Sequence, residues 1–434
     1  MDYLWEKDIE KPSYPALSGD TATEALVIGG GMAGVLIAKA LHERGVACLL
    51  AEAKSIGSGV TRGTTAVLSA QHDTLYQDMV KRFSAASAKK YLDANLRAVE
   101  EFRALSQRID CDFEKRPSYM YTFTDKDAEE LEREAKVVRA LGFKAVFTKS
   151  TPLPFAVKGA VIYPDMAQFH PLKFLYGAAK GLNIVENTLV CNVDNGVAYT
   201  AHGKIRARHI VMATHFPFID RRGLYFMKLY QKRSFVIALE NAPNLGATYV
   251  DTAESGIYLR NYKDLLILGG GDHRTGKKGG GFAAVRAFAR RVFPDAREKY
   301  AWAAQDCMSL DGAPYIGAYS PAVPDLYVAT GFNEWGMTSS LVASNILADM
   351  ITGRKNKYAE AFEPRRTMLR AQLFANLGAT LADFVIPTVK RCPHLGCALR
   401  WNKAEHTWDC PCHGSRFTEK GELINDPATR DAHV

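Results

Sequence analysis

The chain lacks any long uninterrupted apolar run. Its most apolar stretch, Ala25 to Leu41, is broken by four glycines. A membrane helix needs about 20 consecutive apolar residues, so no span is expected. The first residues, Met1-Asp-Tyr-Leu-Trp-Glu-Lys-Asp, are charged and lack the apolar centre of a secretion signal. Cysteine is sparse before residue 392: Cys48, Cys111, Cys191 and Cys307 are scattered singly. That excludes a disulfide scaffold, and buried free thiols in a reducing cytoplasm are expected. Internal repeats and low-complexity tracts are missing. Charge of one sign is not concentrated either. The net charge is +8 over 434 residues. Lys277-Lys278 near Arg274 and the pair Arg290-Arg291 come nearest to basic patches, and both read as solvated faces. No nucleic-acid module is present, so nucleic acid is not an expected partner. With 47% hydrophobic and 24% charged residues, the composition is that of a globular protein of two or three domains.

What is present is concentrated at the two ends. Near the C-terminus stand Cys392-Pro393-His394 and Cys410-Pro411-Cys412-His413, with fifteen residues between His394 and Cys410. Two short loops, each offering one thiolate and one imidazole, can close on a [2Fe-2S] cluster with both histidines on one iron. Neutral imidazoles put less negative charge on that iron. They raise its potential to roughly −150 to +300 mV, against about −400 mV for all-cysteine plant-type clusters. Pro393, Pro411, Gly396 and Gly414 suit the sharp turns such loops need. A zinc knuckle is the alternative use of these residue types.

These residues resemble the Rieske iron–sulfur module in the form found in quinol-oxidising cytochrome complexes. The resemblance implies Cys392, His394, Cys410 and His413 as ligands. It also implies a Cys397–Cys412 disulfide and a hydrogen bond from Ser415 to a cluster sulfur. Two departures stand out. Phe417 occupies the place of a tyrosine, which removes one hydrogen-bond donor and implies a lower potential. The stretch before Cys392, Met368 to Ala382, looks helical, so the several-stranded base of such modules is expected to be reduced.

At the other end, Glu24 to Ile28 is a short apolar strand that runs into Gly29-Gly30-Gly31-Met32-Ala33-Gly34. A helix follows to Arg44, then a second strand, Val46 to Ala51, delivers Glu52. Strand, Gly-x-Gly-x-x-Gly, helix, strand and acid form the dinucleotide-binding fingerprint. Gly29 serves the turn, Gly31 the approach of the pyrophosphate, and Gly34 the packing of helix on strand. Glu52 is placed for ribose hydroxyls.

Three further stretches favour FAD over NAD. Gly57 to Ala66, with Ser58, Thr61 and Thr65, is a glycine- and hydroxyl-rich loop. Ile205 to Thr214 is a strand ending in the small residues Ala213 and Thr214. Tyr327 to Thr338 passes through Gly331, Trp335, Gly336 and Met337 into a helix ending near Thr352. That helix could point its positive end at a flavin. Leu268-Gly-Gly-Gly-Asp272 is not a second nucleotide site, because Arg274 replaces the third glycine and no helix follows. It reads as a strand ending in a turn.

In this order the motifs resemble the D-amino-acid oxidase-like family of FAD-dependent oxidoreductases, over residues 20 to 365. The fold class expected is α/β: a Rossmann-like ββα-type FAD domain interleaved with a mixed-sheet substrate domain, plus a small all-β Rieske module. The expected partition is 20–85, 150–222 and 306–365 for FAD, 86–149 and 223–305 for substrate, 366–385 as a linker helix, and 386–434 for the cluster. Between the motifs, two charged helices are expected over Leu75 to Ile109, a strand over Tyr119 to Thr124 and a helix over Ala128 to Leu141. Four strands are expected, over Ser234–Leu239, Ala247–Val250, Gly256–Arg260 and Asp264–Gly269.

Flavin chemistry of this kind leans on geometry. Arg260 is the candidate for holding a substrate carboxylate, and Trp335 for walling a flavin. His72 and His215 are candidates because each follows a cofactor-proximal stretch, with Tyr163 and His170 behind them. The implied function is oxidation of a small amine or amino acid at FAD. Electrons then pass through the cluster to an external acceptor such as a ferredoxin or quinone. The alternatives are electron entry at the cluster and a non-catalytic redox sensor.

Overall fold

The computed structural model describes residues 1–434 apart from 220–222 and 385. Two of the domain boundaries drawn above, at 222 and at 385, fall outside the described residues.

Apolar side chains on both faces bury the strand Thr21–Ile28 at the centre of a sheet. It pairs in parallel with Cys48–Ala51 on one side and with Gly203–Met212 on the other. Val323–Thr330 extends that sheet in parallel beside Ile210–Met212, and Tyr315–Ser320 adds an antiparallel strand. The helix Met32–Glu43 follows the glycine run and packs against the helix Gly336–Ile351.

Glycine is a geometric requirement at two positions here. A Cβ on Gly34 would stand 1.8 Å from the Gly29 carbonyl oxygen, and one on Gly29 (φ 108°) would stand 2.5 Å from the Ala213 oxygen. The first strand, the first helix and the end of Gly203–Met212 therefore meet backbone to backbone, as the dinucleotide fingerprint requires.

A second, eight-stranded sheet runs in the order Arg297–Ser309, Leu229–Glu240, Leu265–Arg274, Tyr258–Tyr262, Thr248–Asp251, Ser118–Thr122, Gly159–Tyr163, Val146–Thr148. It is the mixed sheet anticipated from sequence, with two adjustments. Gly159–Tyr163, assigned by sequence to the nucleotide half, pairs antiparallel with Ser118–Thr122 in this second sheet. The strand through Gly269-Gly270-Gly271 does not stop at Gly269. It continues to Arg274, held by pairing with Leu229–Glu240 across a register shift. The charged stretch before it forms the helices Leu75–Arg82, Ala85–Ser106 and Asp125–Ala140.

The C-terminal module is small. Its sheet has four strands of two or three residues, Arg400–Asn402, Thr407–Asp409, Arg416–Phe417 and Leu423–Asn425. The helix Ala371–Phe384 leads into it. So little sheet buries only a small core, around Cys392, Cys397, Leu399, Cys410, Cys412 and Phe417. The module is held largely by what it rests on. No helix among the described residues is long and apolar enough to cross a membrane.

Gly34→Ala should cost more than about 3 kcal/mol, because the clash is with backbone that cannot rotate away. Flavin content per purified chain and the denaturation midpoint should fall together; retention of full flavin content would contradict the close approach.

Candidate functional site: a cavity and a cluster module on opposite faces of one sheet

The glycine run, Glu52 and the loop after it come together in the structure. Glu52 accepts from the Gly30 N–H through Oε2 (2.6 Å) and from the Lys54 N–H through Oε1 (2.8 Å). Burial raises its pKa, and those two hydrogen bonds oppose the rise. Thr61 Oγ1 accepts from the Met32 N–H (3.0 Å) at the start of the first helix. The loop after Glu52 is pinned by three buried donors. Trp302 Nε1 donates to the Gly63 oxygen (2.9 Å), Trp5 Nε1 to Thr64 (2.6 Å), and Arg260 Nη1 to Ala66 (2.9 Å).

Beyond this loop lies a cavity lined by Gly63, Thr64, Thr65, Tyr258, Arg260 and Trp335, among others. It therefore brings together the glycine-rich loop, the second sheet and the loop before the helix Gly336–Ile351. Of the four catalytic candidates, Arg260 and Trp335 line it, and His72 and His215 do not. Arg260 is no surface residue; it is 1% exposed. Its terminal nitrogens face the Ala66 and Phe169 carbonyls, and its guanidinium lies over the rings of Trp5 and Tyr262.

His72 sits behind Trp335, stacked on it at 5.0 Å with an 18° interplanar angle. Burial lowers its pKa to about 3, so it is neutral. Tyr91 Oη lies 2.7 Å from its Nδ1, and the Ser69 oxygen lies 2.9 Å from its Nε2. Both ring nitrogens are committed to holding the stack in place. Thr338 joins the same cluster through the Ser69 carbonyl.

His215 (φ 67°) is half-buried on the module side, and desolvation lowers its pKa to about 4 with Gln231 as a hydrogen-bond partner. Tyr163 and His170 are also buried away from the cavity: His170 accepts from Lys173 N–H as a helix cap.

Asp73, Asp272, Asp306 and Glu334 also line the cavity, and sequence reasoning missed them. One signal was available: Gln305-Asp306 interrupts the apolar run from Tyr300 to Met308.

The cluster module docks on the far side of the same sheet. Side chains alternate faces along a strand. Gln231 Nε2 donates to the His413 oxygen (2.8 Å), and Gln305 Nε2 donates to the Gly414 oxygen (3.0 Å). Arg233, the cross-strand partner of Gln305, grips Glu405. The intervening Ser234, Ala304 and Asp306 line the cavity. Gly414 and Gly276 permit the contact: a Cβ would stand 2.7 Å from Gln231 Cβ and 2.6 Å from the Pro411 nitrogen, respectively. Arg274 adds bonds to the carbonyls of Pro411 (3.1 Å) and Cys412 (3.0 Å). A buried ionic knot of Arg233, Glu405, Arg416 and Asp409 fastens the module.

The donor set suits a [2Fe-2S] cluster. A Cys397–Cys412 disulfide joins the two loops. Cys410 Sγ lies near those two sulfurs, but disulfide sulfurs are not thiolates, so the available ligands are Cys392, Cys410 and the histidines. The Cys392 and Cys410 thiols hydrogen-bond each other. Cys410 holds the proton and is raised, while Cys392 is lowered, helped by the backbone of His394 and Leu395 and by Ser415. Such donors stabilise thiolate charge. His413 is 1% exposed. Its Nδ1 is buried with no hydrogen-bond partner, while Nε2 lies 3.1 Å from the Phe226 oxygen. That arrangement fixes the tautomer with Nε2–H donating and leaves the Nδ1 lone pair for a metal. His394 is half-buried, 5.0 Å from His413 ring to ring. Phe216, two residues past Thr214, contacts both imidazoles.

The fold and the two sites define a flavin-linked redox protein with an iron–sulfur module. The chain belongs to the FAD dependent oxidoreductase family, whose model matches residues 24–350, and the Rieske [2Fe-2S] domain model matches residues 382–434. It is therefore an oxidoreductase with FAD and a Rieske-type [2Fe-2S] cluster as its cofactors. A Bacillus subtilis (strain 168) protein, YhfW, described as a Rieske 2Fe-2S iron-sulfur protein, is 31% identical; the match covers 98% of this chain and 96% of that one. Among solved structures, glycine oxidase from Geobacillus kaustophilus is similar with a TM-score of 0.67 and 21% identity, covering 80% of this chain and 99% of that one. L-proline dehydrogenase from P. horikoshii is similar with a TM-score of 0.68 and 20% identity, covering 81% and 98%. At these identities the structures establish a shared fold.

Two outcomes test the geometry. Arg260→Met should destabilise the protein by about 1.5–3 kcal/mol, measured by urea denaturation, because charged hydrogen bonds to buried carbonyls are lost. Glu405→Gln should cost about 3–5 kcal/mol by leaving two buried guanidinium groups short of their partner. Its partners Arg233 and Arg416 hold the Glu405 pKa below its ordinary 4.5 against the opposing effect of burial. The stabilisation is thus complete at neutral pH and lost as pH falls below about 4.5. The stability difference between wild type and Glu405→Gln should shrink over that acid range.

Proposed function

We propose that the protein oxidises a small amine- or amino-acid-type substrate in the cavity and delivers the electrons, one at a time, through the Rieske module to an external acceptor such as a ferredoxin or quinone. Bound FAD would supply two-electron oxidation of a substrate C–H bond, and a bound [2Fe-2S] cluster would supply a one-electron outlet. The observation that carries this reading is the shared sheet. Gln231 and Gln305 touch the ligand loop from one face while Ser234 and Asp306 line the cavity from the other. Only one sheet, about half of the 10 Å face-to-face spacing on either side, lies between them.

The chain's own residues prepare both ends. Gly29, Gly31, Gly34, Glu52 and Thr61 shape the nucleotide cradle, with Met32 and Ala33 opening its helix. Ser58 and Thr65 belong to the pinned loop, and Ala213 and Thr214 close against Gly29. Gly331, Trp335, Gly336, Met337 and Thr338 form the wall that His72 braces. Water is kept from the module side by the seal of Gln231, Gln305 and Phe226 around His413. His394, half-buried, is the edge on which an external partner would dock. The amino-acid enzymes among the structural neighbours support the substrate class. Cys48, Cys111, Cys191 and Cys307 remain free thiols, which supports a reducing, cytoplasmic setting.

Anaerobic mixing of the oxidised holoprotein with a panel of amines and amino acids tests the proposal. Flavin bleaching followed by the paramagnetic signal of a reduced cluster is the expected result. Stoichiometric hydrogen peroxide at full turnover in air, with the cluster staying oxidised, would refute the route. A Cys410→Ser protein should still bleach with substrate but fail to reduce a one-electron acceptor.

A further inference from the structure

The cavity wall has a charge pattern that the general reading does not use. Asp73, Asp272, Asp306 and Glu334 come from four separate stretches of chain and line one cavity. Asp73 and Glu334 keep open surface there, and each sits at positive φ (47° and 70°), backbone that side chains seldom adopt. Trp335 Nε1 approaches Asp73 Oδ2 at 3.4 Å.

Among the described residues, Arg260 is the one guanidinium that lines the wall. Its terminal nitrogens each donate to a backbone carbonyl, of Ala66 and of Phe169. Its Nε has no partner, and its single positive charge lies over the rings of Trp5 and Tyr262, against four carboxyls in the wall. Lys232 is bound to Glu254 at 3.1 Å and also acts on the cavity acids, Glu334 first. Thr248 is an independent sign of a ligand. It is 2% exposed, lines the same cavity, and its Oγ1 has no hydrogen-bond partner.

Half-buried carboxyls such as Asp272 and Asp306 are costly unless paired. Burial, with mutual repulsion, raises Asp272 to about 7; burial raises Asp306 to about 6 even though Arg233 and Lys232 oppose it. Among the described residues that line the cavity, four carboxyls face one guanidinium, and a cavity lined mainly by one sign of charge concentrates ligands of the other.

We propose that the cavity recognises a substrate with two cationic nitrogens and no carboxylate, an aliphatic diamine or polyamine. Asp306 and Glu334 provide the principal counter-charges, and the Thr248 hydroxyl adds a hydrogen bond. This rests on reading the cavity as the substrate site, and it replaces the amino acid by an amine within that reading.

The test is a binding titration on the FAD- and cluster-loaded protein, kept anaerobic at constant ionic strength and followed by flavin absorption and calorimetry. The probes are hexamethonium as a redox-inert dication, tetramethylammonium and acetate. Hexamethonium should bind about tenfold or more tightly than tetramethylammonium, with no response to acetate. Glu334→Gln and Asp306→Asn, near-isosteric changes, should each weaken hexamethonium by about tenfold or more. Asp73→Asn, on a different loop, should weaken it as well, so the conclusion does not depend on the folding of one variant. Acetate binding as tightly as hexamethonium, or unaltered hexamethonium binding in all three variants, would overturn the proposal. The kinetic arm keeps the two readings apart. Hexamethonium binding with no bleaching by 1,4-diaminobutane would leave the cation site standing and remove the proposed oxidation. Bleaching by glycine without hexamethonium binding would do the reverse.

Discussion

The two-residue period of the strands Leu229–Glu240 and Arg297–Ser309 is the constraint on which the arrangement depends. Directly paired residues share a face, so Lys232 with Asp306 and Ser234 with Ala304 look one way, while Arg233 with Gln305 looks the other. A shift of one residue in that pairing would exchange the two sets. The glutamines that hold the ligand loop would then point into the cavity, and Asp306 would face the module. The separation of the cavity from the Cys/His loop, and their closeness, come from the same pleat.

Close backbone approach does the rest of the positioning. Gly29 and Gly34 let strand, helix and the Ala213 turn meet, and Gly276 and Gly414 let the module sit directly on the sheet. A module with four very short strands cannot order itself by its own core. It borrows order from the sheet through the Arg233–Glu405–Arg416–Asp409 knot and from the Arg274 bonds to the Pro411 and Cys412 carbonyls. Buried charges in this knot each find several partners, so the desolvation cost is offset. The sharp contrast is the cavity wall, where carboxyls are left with few partners from the protein. Charge is closely paired in the knot and sparsely paired in the cavity wall.

Much of the architecture was legible in local sequence. The glycine fingerprint with its strand and helix, the acid at Glu52, the two Cys/His loops and the reduced base of the cluster module each depend on residues close together in the chain. The expected Cys397–Cys412 pairing is present, and the strands over 234–269 appear; Leu229–Glu240 and Leu265–Arg274 are longer than their local pattern showed because ladder partners extended them. The catalytic candidates were less legible. His72 and His215 follow cofactor-proximal stretches, yet one braces Trp335 and the other faces Gln231. Position next to a motif does not tell which way a loop turns. Arg260 was read as a candidate for holding a substrate carboxylate; its two carbonyl partners, Ala66 and Phe169, lie 194 and 91 residues away and are not legible locally.

The sequence by itself determined the cofactor pair and the family of fold, because those chemistries need fixed residue types at short fixed spacings. Only the tertiary structure decided that cluster and cavity share one sheet, and that four acids from distant segments face one space. Side-chain direction and long-range strand register set both, and neither is written in any local stretch of the chain.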